Sequence, residues 1–257
     1  MEYIQLEIDK NIAQLTIQSP PANALSSTLL SELEGKLNGI EEEQSVKAVV
    51  IKGDGKFFSA GADIKEFTSM QNSSDSQTFS NKGQELFNRI ENFSIPIISA
   101  IHGGAFGGGL ELAMACHIRI VTENTKLGLP EITLGIIPGY AGTQRLPRFV
   151  GNAKAYEMML TGEPISGTEA FTFGLVNKVV KEQELISEAT KLAEKIASMS
   201  KPVINQIMHL VNFSKSELFE KGVQEEAIAF SKVFTNADAK EGVQAFLEKR
   251  KPNFQDK

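Results

Sequence analysis

The stretch Gly103-Gly104-Ala105-Phe106-Gly107-Gly108-Gly109-Leu110-Glu111-Leu112-Ala113-Met114-Ala115-Cys116 decides how the chain is read. Five glycines fall within seven residues, and an apolar, helix-forming segment follows with Glu111 as its one charge. Glycine loses more conformational freedom on folding than any other residue, so a run of it marks backbone that something must approach closely. A glycine-rich entry to a helix leaves N–H groups without intrahelical partners, and the helix dipole adds positive potential at the same end. Such an end suits a phosphate or a developing oxyanion. Leu110 to Cys116 is apolar on every face apart from Glu111, which predicts a buried helix. A buried carboxylate either finds a partner or shifts its pKa. From this helix alone, an edge position or a bond to a nearby amide stays open beside a functional role. No GxxxxGK[ST] occurs, and Gly104-Ala105-Phe106-Gly107 does not fit GxGxxG, so a nucleotide-phosphate site is a weak reading.

Two other segments share this chemistry. Phe57-Phe58-Ser59-Ala60-Gly61-Ala62-Asp63-Ile64-Lys65-Glu66 follows an expected strand and a Gly53-Asp54-Gly55 turn. Leu127-Gly128-Leu129-Pro130-Glu131-Ile132-Thr133-Leu134-Gly135-Ile136-Ile137-Pro138-Gly139 sets a second glutamate, Glu131, in an apolar context. Following a proline, Glu131 can also simply cap or open a short helix. Two carboxylates in apolar settings beside exposed amides point to paired acid–base chemistry on an enolate-like intermediate.

Working outward, Ile4/Leu6/Ile8 and Ala13/Leu15/Ile17 alternate about Asp9-Lys10-Asn11 and predict a β-hairpin. Ser26 or Ser27 can cap a helix running to about Ile40. The apolar runs 48–51, 97–101 and 118–121 predict buried strands in βα-type units. Residues 68–80 are small and polar and predict a mobile loop. Ser166 and Glu169 have capping-box spacing, in a helix that Gly174 stops. From about residue 182 the segments 182–199, 202–213, 217–234 and 238–250 are helical in pattern. The expectation is an α/β body over 1–195 and a helical C-terminal region over 196–257.

At 257 residues the chain can bury a large core. Its net charge of −6 gives no general pull towards nucleic acid or an anionic membrane. Cys116 is the only cysteine, so no internal disulfide forms and a reducing compartment fits. The start alternates like a strand, with neither signal-peptide nor transit-peptide character, and no run is long enough to span a membrane. A cytoplasmic location is expected.

The segments "FSAGADIKE", "GGAFGGGLELA", "LGLPEITLGIIPGYAGTQRLPR" and "AFLEKRKPNF" together resemble the enoyl-CoA hydratase (crotonase) family, over nearly the whole chain and in the family's order. The resemblance implies an α/β fold, a crotonase-like spiral of ββα units with a helical C-terminal trimerisation region. It implies syn addition of water to a 2-enoyl-CoA, with the thioester carbonyl polarised by the amides of Ala62 and Gly108. Both glutamates would act on the catalytic water, Glu111 as base and Glu131 as proton donor to Cα. Substrate contacts are implied at Lys56, Ala60, Asp63, Ile64, Lys65 and Gly139, with Phe246 and Lys249 reaching a neighbouring subunit's CoA. The partners implied are an acyl-CoA thioester and copies of the chain itself, as a trimer or a dimer of trimers. No cofactor is implied beyond the CoA of the substrate.

His102, His117 and His209 share no metal-like spacing, so no metal is expected. No Ser or Cys sits in a nucleophile elbow, and Cys116 reads as a small core residue. Asp63, Arg119 and Arg145 also read as members of structural ion pairs. Within the same superfamily the alternatives are a methylglutaconyl-type hydratase and a double-bond isomerase. An RNA-binding role is disfavoured, because residues 31–43 form an acidic helix where phosphate contacts need Lys or Arg.

Overall fold

The computed structural model describes residues 2–67, 73–215 and 237–255. Strands β1 (Ile4–Asp9) and β2 (Ile12–Ile17) form the expected antiparallel hairpin, with Lys10 and Asn11 at positive φ in its turn. The three apolar runs become β3 (Ala48–Gly53), β4 (Ile97–Ile101) and β6 (Ile118–Thr122). With β9 (Lys178–Val180) they make a six-stranded sheet in the order β1-β2-β3-β4-β6-β9, parallel from β2 onwards. A second sheet joins β5 (Gly104–Phe106), β7 (Lys126–Gly128) and β8 (Ile165–Ser166). The chain therefore advances in turns: β4 in the first sheet, β5 in the second, then helix α4 (Gly108–Ala115); next β6, β7 and a 3-10 turn at Glu131–Leu134. This is the ββα spiral.

Alternation along the strands divides the core. Ala13, Leu15, Val49, Ile51, Ile97 and Ile101 face α1 (Ser27–Glu42), α3 (Ser73–Glu91) and α4. The intervening residues Ala48, Val50, Ile98, Ala100 and Ile120 face α7 (Leu185–Ala197) through Leu185, Ala189 and Ala193. Each large side chain so buried contributes about 1.5–3 kcal/mol, which is why a parallel sheet needs both faces covered. The Ser26 cap, the Ser166–Glu169 capping box on α6 (Gly167–Thr172) and the stop at Gly174 form as expected.

The loop expected over 68–80 is corrected for its later part, because α3 begins at Ser73; residues 68–72 lie outside the described residues. Leu86, Phe87 and Ile90 form a helical stripe against the core, and the small polar residues continue the same helix upstream. The boundary read at residue 195 falls in the last turn of α7, whose buried face belongs to the body. Beyond it lie α8 (Lys201–Val211) and α9 (Ala237–Leu247); the helix read over 217–234 lies outside the described residues. Asp238 ties this region together, accepting hydrogen bonds from the Ser200 hydroxyl and the Gln255 amide, both at 2.7 Å. Among the described residues no helix is long and apolar enough to cross a membrane.

Candidate active site

The first element of the site is a strained junction. Gly61 has φ +100°, and a Cβ there would stand 2.8 Å from the Phe106 carbonyl oxygen and 3.3 Å from the Gly108 nitrogen. Only glycine lets the 57–63 segment lie this close to the start of α4. Buried Asn23 secures the same segment from behind: its side-chain amide donates to the carbonyls of Asp54 and Phe57, and its own carbonyl accepts from the Ser59 hydroxyl. The Ser59 hydroxyl in turn accepts from the Gly61 amide at 3.2 Å. The parallel bridge between Leu25 and Ala62 uses the amides of Leu25 and Asp63, so the Ala62 amide is directed elsewhere. Gly107, at φ +50°, caps α4 and leaves the Gly108 amide in its first turn. Among the described residues neither the Ala62 nor the Gly108 amide donates a hydrogen bond, and both line one cavity of about 940 Å³.

The two glutamates reach that cavity from different elements. Glu111 is 1% exposed on α4, and its Oε1 accepts from the amides of Tyr140 (2.8 Å) and Gly142 (2.6 Å). Burial pushes its carboxyl up to about 7, the charge of Glu131 adds to the rise, and the two amides and Arg145 oppose it. Glu131 opens the 3-10 turn after Pro130, as its short-helix reading expects, and is also buried. Its Oε2 has no hydrogen-bond partner among the described residues, and burial raises its carboxyl above the ordinary value. A Cβ on Gly107 would stand 2.9 Å from Glu131 Oε1, so the glycine run also makes room for this second carboxylate. Two carboxyl groups that burial raises thus face one cavity beside two amides unpaired among the described residues.

Of the residues singled out in the sequence, Ala60, Ala62, Ile64, Gly108, Glu111, Glu131 and Gly139 all line this cavity. Asp63 does not line it; its carboxylate accepts from the Lys65 amide at 3.0 Å, a local cap, and among the described residues it makes no ion pair of the kind expected of it. Lys56, Lys65 and Lys249 are exposed and stand outside the cavity wall, Lys56 with its ammonium 5.3 Å from the Phe57 ring centre. Phe246 sits in α9, and its side chain is outside the described residues. Arg145 pairs with Glu91 at 3.0 Å as expected, and also donates to Asn88 and to the Tyr140 carbonyl. Arg119 is corrected: three carbonyls, of Leu175, Ala113 and Cys116, hold it under the Phe149 ring in place of a carboxylate. Cys116 is core, its thiol pushed up to about 12 by burial.

Sequence reasoning missed four residues at the site. Asn23 stands in a Pro-Pro-Ala-Asn turn, where positive φ for Asn was the available signal. Tyr140 packs its ring against Phe87 and Phe79 and lines the cavity. Ser80 and Gln84 reach the Gly139 carbonyl from α3, and no local pattern marks them.

Residues 7–257 match the family model described as enoyl-CoA hydratase/isomerase. The chain is 54% identical over 255 residues to a probable enoyl-CoA hydratase of Bacillus subtilis, covering 99% of each. It is 42% identical to a crotonyl-CoA hydratase of Syntrophomonas wolfei, covering 98% of each. Among solved structures, it superimposes on an enoyl-CoA hydratase of Bacillus anthracis with a TM-score of 0.93 and 37% identity, over 99% of this chain and 100% of that one.

Proposed function

Since the chain belongs to the enoyl-CoA hydratase/isomerase family and is a hydro-lyase, we propose that it adds water reversibly, in the syn sense, across the double bond of a 2-trans-enoyl-CoA. The observation that carries this reading is the pair Glu111 and Glu131 in one cavity with two unpaired amides. An isomerase that shuttles one proton needs one such carboxyl; hydration must take a proton from water and deliver another to carbon.

The thioester carbonyl oxygen accepts from the Ala62 and Gly108 amides, which draws electron density from Cβ. Glu111, its Oε1 held by two N–H groups, suits the anion and removes a proton from the bound water. The water oxygen bonds to Cβ, the C=C electron pair moves to make the enolate, and the charge settles on the oxygen between the amides. Each such donor is typically worth about 10²–10³ in rate. Glu131, whose buried Oε2 accepts from no donor among the described residues, gives a proton to Cα on the same face. The cycle resets when a proton passes from Glu111 to Glu131. The exposed cations Lys56, Lys65 and Lys249 meet the CoA phosphates, Lys249 and Phe246 across a subunit boundary in a trimer or a pair of trimers. The chemistry uses no cofactor beyond the substrate's own CoA and takes place in the cytoplasm.

The test compares crotonyl-CoA hydration with 3-enoyl to 2-enoyl isomerisation on matched chains. Hydration faster by orders of magnitude supports the reading. Isomerisation as the dominant activity contradicts it.

A further inference from the structure

The peptide unit joining Gly139 to Tyr140 is held at both ends. Its N–H, on Tyr140, donates to Glu111 Oε1 at 2.8 Å. Its C=O, on Gly139, accepts from the Ser80 hydroxyl at 2.5 Å and from Gln84 Nε2 at 3.0 Å. Gln84 Nε2 also donates to Ser80 Oγ at 3.2 Å, which orients the hydroxyl towards the carbonyl. Ser80 and Gln84 stand four residues apart, on one face of α3, and both line the catalytic cavity. We propose that Ser80 and Gln84 are positioning residues for Glu111, acting through this one peptide unit. The proposal rests on Glu111 being an acid–base group of the reaction.

The physical reason is twofold. Donors on an amide carbonyl polarise the same amide's N–H, so hydrogen bonds in series strengthen one another by roughly 10–30%. The clamp also pins the 138–142 turn, and with it the Gly142 amide at 2.6 Å from Glu111. A parallel support comes from Arg145, which donates to the Tyr140 carbonyl at 2.8 Å while pairing with Glu91 on α3. The α3 helix thus reaches the Glu111 carboxylate by two routes. The charged and titratable groups around Glu111 are Glu131 from the 3-10 turn, Arg145 from the helix Gly142–Thr161 and the buried Tyr140 phenol. None of these is altered by changing residues 80 and 84.

The experiment uses the full chain with Ser80→Ala and Gln84→Leu, singly and together, and Ser80→Thr as the variant that keeps the hydroxyl. The Glu111 carboxyl is followed by carbon-13 NMR titration without substrate, which reads the clamp independently of catalysis. Loss of the carbonyl donors leaves the Glu111 anion less stabilised, so its titration moves to higher pH, by about half a unit in the double variant. Crotonyl-CoA hydration should lose about tenfold in kcat, with KM within about twofold and the acid limb of the profile moving with the carboxyl. Ser80→Thr should stay near wild type in both. An unmoved Glu111 titration overturns the proposal, even where activity falls, because the two residues would then act directly on substrate. Should the double variant not fold, the Ser80→Ala titration decides alone. A shifted titration in a chain without hydratase activity would uphold the clamp and reject the function proposed above.

Discussion

Replacing Glu111 by glutamine should make the protein more stable at alkaline pH and leave it nearly unchanged in acid. Glu111 is 1% exposed, and its carboxyl titrates near 7 in the folded chain against an ordinary 4.5. Between those values the folded state holds a proton that the unfolded state has lost, so stability falls as pH rises through that window. Below about pH 4.5 the term is absent; above about pH 7 it is complete and amounts to about 3 kcal/mol. Glutamine avoids the ionisation, and its Oε1 still accepts from the Tyr140 and Gly142 amides that hold the carboxylate now. Its new N–H₂ faces the cavity. Urea unfolding of both proteins at pH 5 and pH 8 should therefore show the variant gaining about 2 kcal/mol more at pH 8 than at pH 5. An equal difference at the two pH values would refute the claim that burial holds this carboxyl high.

Gly61→Ala should cost both activity and stability: a Cβ at φ +100° and 2.8 Å from the Phe106 carbonyl strains the backbone and forces the Ala62 amide off its mark, and kcat should fall by roughly 10²–10³, as for one lost oxyanion donor. Crotonyl-CoA kinetics beside a melting curve checks this; a variant with normal kcat would show that the Ala62 amide needs no such placement. Arg119→Met should act on stability alone. It strands the carbonyls of Leu175, Ala113 and Cys116 in the core, and unfolding should show a loss of about 3 kcal/mol or more, at 1–3 kcal/mol for each buried acceptor left unpaired. Unchanged stability would mean those carbonyls find other donors.

Much of this architecture is legible in local sequence. The strands at 48–51, 97–101 and 118–121 announce themselves because both sheet faces are covered, so their residues are apolar apart from Ser99 and Arg119. Glu111 stands out because a charge in an otherwise apolar helix demands an account. The β5 strand at Gly104–Phe106 carries no such mark: two of its neighbours are glycines, and nothing alternates over three residues. The start of helix α3 is hidden in the sequence because Ser74, Gln77 and Thr78 are exposed and the helical stripe is carried further on, by Leu86, Phe87 and Ile90. The bonds that tune Glu111 span 29 and 31 residues, and those from Ser80 and Gln84 to Gly139 span 59 and 55. Contacts at such separation depend on how the spiral closes, which no local period encodes.

The central claim is that Glu111 and Glu131 serve one water together. It is tested most directly by hydration kinetics of Glu111→Gln, Glu131→Gln and the double variant on crotonyl-CoA and a branched enoyl-CoA. Each single variant should lose roughly 10²–10⁴ in kcat, with a far smaller change in KM. The double variant should be little worse than the poorer single one, because groups acting as a unit are not additive. Either single variant retaining more than about half of the wild-type kcat on both substrates, against the loss expected of a positioned acid or base, would contradict the two-carboxylate mechanism.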